Sequence, residues 1–171
     1  QEGCSYRQTL GRKKVIQRGE NAPLAQGIGM REANPCVLIV DDDPVFRDSV
    51  VRLLRSLGLD SQQFSSVSEF LEADSVDGPT CLVLDVRMPG GSGLELQREL
   101  AAANRQLSII FMTAHGDIPM TVQAMKGGAI EFLTKPFRDQ DLLDAIEVGL
   151  ARDRARREGD RALRALRERF D

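Results

Sequence analysis

Residues 36–44 read Cys36-Val37-Leu38-Ile39-Val40-Asp41-Asp42-Asp43-Pro44, and the reading of this stretch decides the fold class. The unbroken apolar run over 37–40 fits a strand buried on both faces, since a half-exposed strand would alternate. Three aspartates end it. Asp43-Pro44 then supplies a helix N-cap followed by proline at the first helical position. Phe46, Val50, Leu53 and Leu57 recur at helical spacing, and Gly58 stops the helix. A doubly buried strand feeding an amphipathic helix is half of a parallel crossover unit.

The same alternation continues along the chain. Strands are predicted over 61–64, 81–84, 107–112 and 131–133, and helices over 67–73, 94–103, from Ile118 to Gly127-Gly128, and from Asp139 through Leu150. Gly78-Pro79 turns into the third strand, and 88–93, Met-Pro-Gly-Gly-Ser-Gly, reads as a tight loop. Ile118, Val122, Met125 and Ala129 mark the helix after the fourth strand. Ile118, Met120 and Met125 are candidates for an apolar partner face, although for Ile118 and Met125 the helical spacing favours a place in the core. Five such units predict an α/β fold, a doubly wound parallel sheet with helices on both faces. In such folds functional groups gather at the carboxyl ends of the strands.

Composition narrows the class further. Of 171 residues, 42% are hydrophobic and 29% charged, which suits a globular domain and leaves no run long enough to cross a bilayer. The net charge of −3 is uneven. Residues 36–150 carry 9 Lys and Arg against 18 Asp and Glu, whereas 1–35 carry 6 against 3 and 151–171 carry 8 against 5. An acidic body argues against a nucleic-acid surface there and suits a hard cation. Residues 1–34, broken by glycine and proline, are expected to be a flexible or loosely docked extension, with Met30 a natural start and the residues before it either native or a leader. Cys4, Cys36 and Cys81 show no metal or CxxC spacing; Cys36 and Cys81 read as free, small hydrophobes, and a reduced cytoplasmic location is expected.

The strand ends collect Asp41, Asp42 and Asp43, then Asp85, Thr113 and Lys135. Clustered carboxylates repel one another unless a cation neutralises them, and oxygen donors suit Mg²⁺. A carboxylate can act as a nucleophile and form an acyl phosphate. Lys135 and the metal would offset charge on phosphoryl oxygens, and the Thr113 hydroxyl would donate to one of them. Taken singly, Asp43 is a helix cap, Thr113 a turn cap and Lys135 a solvated lysine. Their convergence from four strand ends is the signal.

Four stretches carry a resemblance: 37–43 (Val-Leu-Ile-Val-Asp-Asp-Asp), 84–90 (Leu-Asp-Val-Arg-Met-Pro-Gly), 112–116 (Met-Thr-Ala-His-Gly) and 132–137 (Phe-Leu-Thr-Lys-Pro-Phe). Together, in this order and spacing, they resemble the receiver domains of two-component response regulators, most closely the FixJ-type, LuxR/NarL-like branch. The resemblance implies a flavodoxin-like (βα)5 sheet of order 2-1-3-4-5 over 35–152. It also implies that 153–171 is an extended helix linking to an output domain. Asp85 would be the phosphoacceptor. Asp42 would ligate Mg²⁺ directly, Asp41 mainly through water, and the Arg87 backbone carbonyl would be a further ligand beside Asp85. Thr113 and Phe132 would be the switch pair, Lys135 the phosphate-facing lysine, and Lys135-Pro136 a cis peptide. The implied partners are a sensor histidine kinase, a phosphorylation-dependent second copy, and promoter DNA through an output domain; no membrane partner is implied. Such a protein is a switch that assists its own phosphorylation and dephosphorylation rather than an enzyme with a separate substrate.

His115 and Arg87, each two residues past a site residue, are candidates for tuning acyl-phosphate hydrolysis, while a plain exposed histidine is an equal reading. In 151–171, Leu163, Leu166 and Phe170 form one helical stripe, the eight arginines read as a solvated face, and Gly159-Asp160 is a candidate break. Two rivals stand beside the receiver. One is a receiver that acts alone by binding another protein. The other is a haloacid-dehalogenase-like phosphatase with Asp41 as nucleophile and Asp43 as acid/base, which leaves Asp85 and its Met-Pro-Gly loop unexplained.

Overall fold

The computed structural model describes residues 34–88 and 91–170. The expectation of a flexible extension, and the reading of Met30 as a start, therefore fall almost wholly outside the described residues. In chain order the elements are β1 (Cys36–Val40), α1 (Pro44–Ser56), β2 (Asp60–Phe64), α2 (Val67–Glu72), β3 (Thr80–Asp85), β4 (Arg87–Met88), β5 (Gly91–Ser92), α3 (Gly93–Ala102), β6 (Ser108–Thr113), α4 (Ile118–Lys126), β7 (Glu131–Thr134) and α5 (Asp139–Phe170). Five strands form a parallel sheet, β2-β1-β3-β6-β7, with β4 and β5 a separate antiparallel pair. Counted within the sheet alone, that is the expected order 2-1-3-4-5.

The central strands β1, β3 and β6 are buried along their whole length, which is why their sequences are continuous apolar runs. Alternate residues face opposite layers. Leu38, Val40, Leu82, Leu84 and Phe111 pack with α3 and with Phe70 of α2. Val37, Ile39, Val83, Ile110 and Met112 pack with α1 and α5 through Val50, Leu54, Leu142 and Ile146. Each fully buried side chain of this size contributes about 1.5–3 kcal/mol.

Several expectations shift. The buried stripe of α1 is Val50, Val51 and Leu54, while Leu57 is half exposed, because the helix turns its Val50–Val51 edge to the sheet. Ile118, Val122 and Met125 do not fill the core: Ile118 is 80% exposed, and α4 seats only Ala124 fully. The sheet beneath that helix ends at the edge strand β7, so there is little apolar surface for a wider stripe to cover. Gly159 does not break the last helix, which runs unbroken through 32 residues. Its cost of about 1 kcal/mol relative to alanine is met by strong helix formers on both sides and by the Arg156–Asp160 pair at 3.7 Å. Cys36 is disulfide-bonded rather than free. A buried sulfur packs alike in either state, so the apolar pattern could not distinguish them. Cys81 is free, and burial, followed by the Asp153 charge, pushes its thiol far above the ordinary range.

Strand register sets the working edge. Val40 lies beside Leu84, Asp85 beside Met112, and Thr113 beside Thr134. Asp41, Asp85, Thr113 and Lys135 therefore leave the sheet at one level.

Candidate functional site

At the carboxyl edge, Asp41 is fully buried and Asp85 nearly so, whereas Asp42 is exposed. The Lys135 ammonium donates to Asp41 Oδ2 at 2.6 Å and to Asp85 Oδ2 at 3.3 Å. The Asp43 N–H donates to the other Asp41 oxygen at 2.9 Å, and the Arg87 N–H to Asp85 Oδ1 at 3.1 Å. Oxygens of Asp41, Asp42 and Asp85 all lie within 4.8 Å of one another. Like charges that close repel by roughly 3–4 kcal/mol at an effective dielectric near 20. One ammonium facing three carboxylates leaves two negative charges unbalanced. All the donors are oxygens and one wall opens to solvent, so the residues present fit a hard divalent cation that keeps part of its water shell.

Electrostatics set the two central groups. Burial lifts the Asp85 carboxyl above its ordinary value; the Arg87 N–H and Lys135 pull it back, and Asp41 adds to the rise. Burial alone would lower Lys135, but the hydrogen bond and charge of Asp41, with the charge of Asp85, raise it. Lys135 therefore stays cationic.

Thr113 is buried and its hydroxyl accepts the His115 N–H at 3.2 Å. The half-buried Phe132 ring lies 6.3 Å from that of Phe111. The Lys135–Pro136 peptide is cis. The side chains of His115 and Arg87 are exposed, and Arg87 enters the site through its backbone N–H. Asp43 caps α1, accepting the Val45 N–H at 3.0 Å.

Four residues around the site were not singled out from the sequence. Phe46 places its ring 4.0 Å from Lys135 Nζ and meets Phe137 edge-on. Arg47 donates to the Asp41 carbonyl at 2.6 Å and to Gln63 at 3.2 Å, tying the β1–α1 turn to β2. At Gly93 a Cβ would sit 2.6 Å from the Asp85 carbonyl oxygen, so only glycine lets α3 start against the Asp85 strand. At Gly116 it would sit 3.1 Å from the Phe132 ring and 3.2 Å from the Thr113 methyl. The short Gly-Gly-Ser-Gly and His-Gly loops were the available signals for the two glycines. Phe46 and Arg47 sit on a helix face that the sequence reads as ordinary.

Comparison with known proteins gives a consistent answer. The family model for the response regulator receiver domain matches residues 37–147. Nodulation protein W of Bradyrhizobium diazoefficiens is 53% identical over 135 residues, which are 79% of this chain and 60% of that protein. The response regulator protein TmoT of Ectopseudomonas mendocina is 49% identical over 71% of this chain and 55% of its own length. Among solved structures, the response regulator StyR aligns with a TM-score of 0.76 at 51% identity, covering 81% of this chain and 70% of that one. FixJ-N aligns with a TM-score of 0.59 at 38% identity over 67% of this chain and 91% of that one. The chain thus spans little more than half the length of the curated relatives it matches. The matched segment contains all four strand-end motifs and every acidic, threonine and lysine side chain assembled at the sheet's carboxyl edge, so the chain belongs to the response regulator receiver domain family.

Proposed function

We propose that this domain receives a phosphoryl group on Asp85 from a sensor histidine kinase in a Mg²⁺-dependent step, and that phosphorylation biases its conformation. The observation that carries this reading is the Lys135 ammonium shared between Asp41 and Asp85, with three carboxylates inside 4.8 Å. An Asp85 oxygen attacks phosphorus; the new O–P bond forms as the donor's P–N bond breaks, and the departing imidazole nitrogen keeps the electron pair. Asp41, Asp42, Asp85 and the Arg87 carbonyl are the holders of Mg²⁺, which when bound neutralises charge on the phosphoryl oxygens. Lys135, kept cationic by Asp41, faces the same oxygens. Asp43 is committed to capping α1, which leaves the rival phosphatase reading without its acid/base.

For the switch, the Thr113 hydroxyl gives up the His115 N–H and turns toward the phosphoryl group, and Phe132 rotates into the space it leaves. The surface of α4, β7 and α5 is the readout. Ile118, Val122 and Met125 already expose apolar, adaptable side chains there, while Met120 packs partly against the core. A second copy is the partner proposed for that face. Some relatives are named transcriptional regulatory proteins, such as FixJ of Azorhizobium caulinodans. Control of transcription by a DNA-binding region outside 1–171, with 153–171 as its linker, follows as the proposed output. A receiver acting alone through protein contacts is the second reading. The family setting suggests the cytoplasm as the place of action; among the described residues no helix is long and apolar enough to cross a membrane.

Beryllofluoride with Mg²⁺, standing in for the phosphoryl group, is expected to shift the Thr113 and Phe132 resonances and raise the dimer fraction in sedimentation. Thr113→Ala is expected to blunt both responses. A fully modified protein that stays monomeric with those resonances unmoved contradicts the proposed coupling.

A further inference from the structure

At the opposite, amino-terminal edge of the sheet two adjoining clefts of about 180 and 340 Å³ share the walls Arg105, Gln106, Leu107 and Arg156. The larger one has the volume of a small-molecule site. Its floor includes Leu100, Leu107 and Ile109, and its rim carries Arg105, Arg152 and Arg156. No aspartate or glutamate lines either cleft, although the chain has 26 acids to 23 lysines and arginines. That segregation is the reverse of the acidic body around it.

Arg152, Arg156 and Arg157 are held in place, and only Arg105 is free to swing onto a ligand. Buried Asp153 accepts from Arg156 at 2.5 Å and from Arg157 at 2.8 Å, and it also takes the Thr80 N–H at 2.8 Å. Arg152 reaches the Gly128 carbonyl at 3.3 Å. The Arg105 guanidinium has no partner among the described residues. Four guanidiniums against Asp153 and the half-exposed Asp160 leave two positive charges facing the clefts. A planar fork beside an apolar floor matches a carboxylate that carries an apolar body, since the fork binds two oxygens in parallel and the floor takes the rest.

We propose that the larger cleft binds a small amphipathic carboxylate, with Arg105 and Arg152 holding the carboxylate and Leu100, Leu107 and Ile109 covering the apolar part. The site is separate from the Asp85 cluster, and its test does not depend on phosphorylation. Benzoate is the probe, titrated by amide NMR into the full chain, with benzyl alcohol as the neutral counterpart and inorganic phosphate as the bare anion. Saturable shifts are expected at Leu107, Ile109 and Gly128, with a Kd of about 1 mM or tighter. Arg105→Gln is expected to weaken binding about tenfold, and Arg105→Lys, which keeps charge but not the fork, by less. Arg105 is exposed, and an unchanged melting temperature with well-dispersed amides establishes that these variants fold. The proposal is overturned by unsaturable benzoate shifts or by equal binding to folded Arg105→Gln. Equal binding of benzyl alcohol overturns the carboxylate assignment, and equal binding of phosphate overturns the need for an apolar body.

Discussion

At the amino edge of the sheet, Asp153 is buried against two guanidiniums and a backbone N–H, and the charge it brings is fully answered. At the carboxyl edge, Asp41 and Asp85 share one ammonium with exposed Asp42 beside them, and the charge is not answered. Both edges use buried carboxylates with a partner far away in sequence. Asp41 and Asp85 reach the Lys135 ammonium, whereas the guanidiniums of Asp153 lie three and four residues along its own helix and its distant partner is the Thr80 N–H. The first arrangement anchors the long α5 helix to the start of β3. The second leaves an excess of negative charge that a divalent cation can relieve. A buried acid whose partners balance it is a fastener, and one whose partners do not is a place to bind.

Removing the fastener has the largest expected effect on stability. Asp153→Ala strands the buried Thr80 N–H, while the partly exposed Arg156 and Arg157 can turn to water, so a loss of about 2–3 kcal/mol is expected. Urea unfolding measures it as a lower midpoint at unchanged slope. A loss no larger than that of Asp85→Asn erases the contrast between the edges.

The unanswered charge predicts a metal effect of intermediate size. Mg²⁺ at ten times its Kd is expected to stabilise the protein by about 1.4 kcal/mol, read as a rise in Tm. Asp42→Ala is expected to remove most of that rise. Indifference of the parent's Tm to millimolar Mg²⁺ removes the case for a cation site.

These sites differ in how visible they were beforehand. Asp41, Asp42, Asp85, Thr113 and Lys135 could be read because each ends an apolar run, and a parallel sheet brings such ends together. The capping role of Asp43 was legible for the same local reason. Asp153 was not, because it sits in an arginine-rich helical stretch whose partner, Thr80, is 73 residues away. Phe46 over Lys135 is equally hidden, since a helical phenylalanine reads as core until the fold sets a lysine above it. The two-residue strands β4 and β5 have no periodicity to detect. The α4 stripe misled for a packing reason: spacing shows that a face is apolar, but not whether the protein has anything to put against it.

The smallest effect is a matter of sign. Asp85 has its pKa raised by burial, so the folded state holds that proton more tightly than the unfolded state, whose value is about 3.9. Its contribution therefore favours folding at low pH and is lost as pH rises from about 3.9 through the raised folded value. Lys135, also raised, contributes stability below about 10.4 that is lost as pH climbs through its folded value. In EDTA, Asp85→Asn is expected to gain on the parent protein in urea midpoint as pH rises through the acid window. A constant difference across that window removes the burial penalty assigned to Asp85.

The central claim, that the unbalanced carboxyl edge exists to take a phosphoryl group on Asp85, is tested most directly by locating the label. The protein is incubated with a small acyl-phosphate donor and Mg²⁺, the acyl phosphate is trapped by reduction, and the modified peptide is sequenced by mass spectrometry. The account predicts modification at Asp85 alone, dependent on Mg²⁺ and absent from Asp85→Asn. Modification at Asp41 or Asp42, or undiminished stable labelling of folded Asp85→Asn, contradicts it.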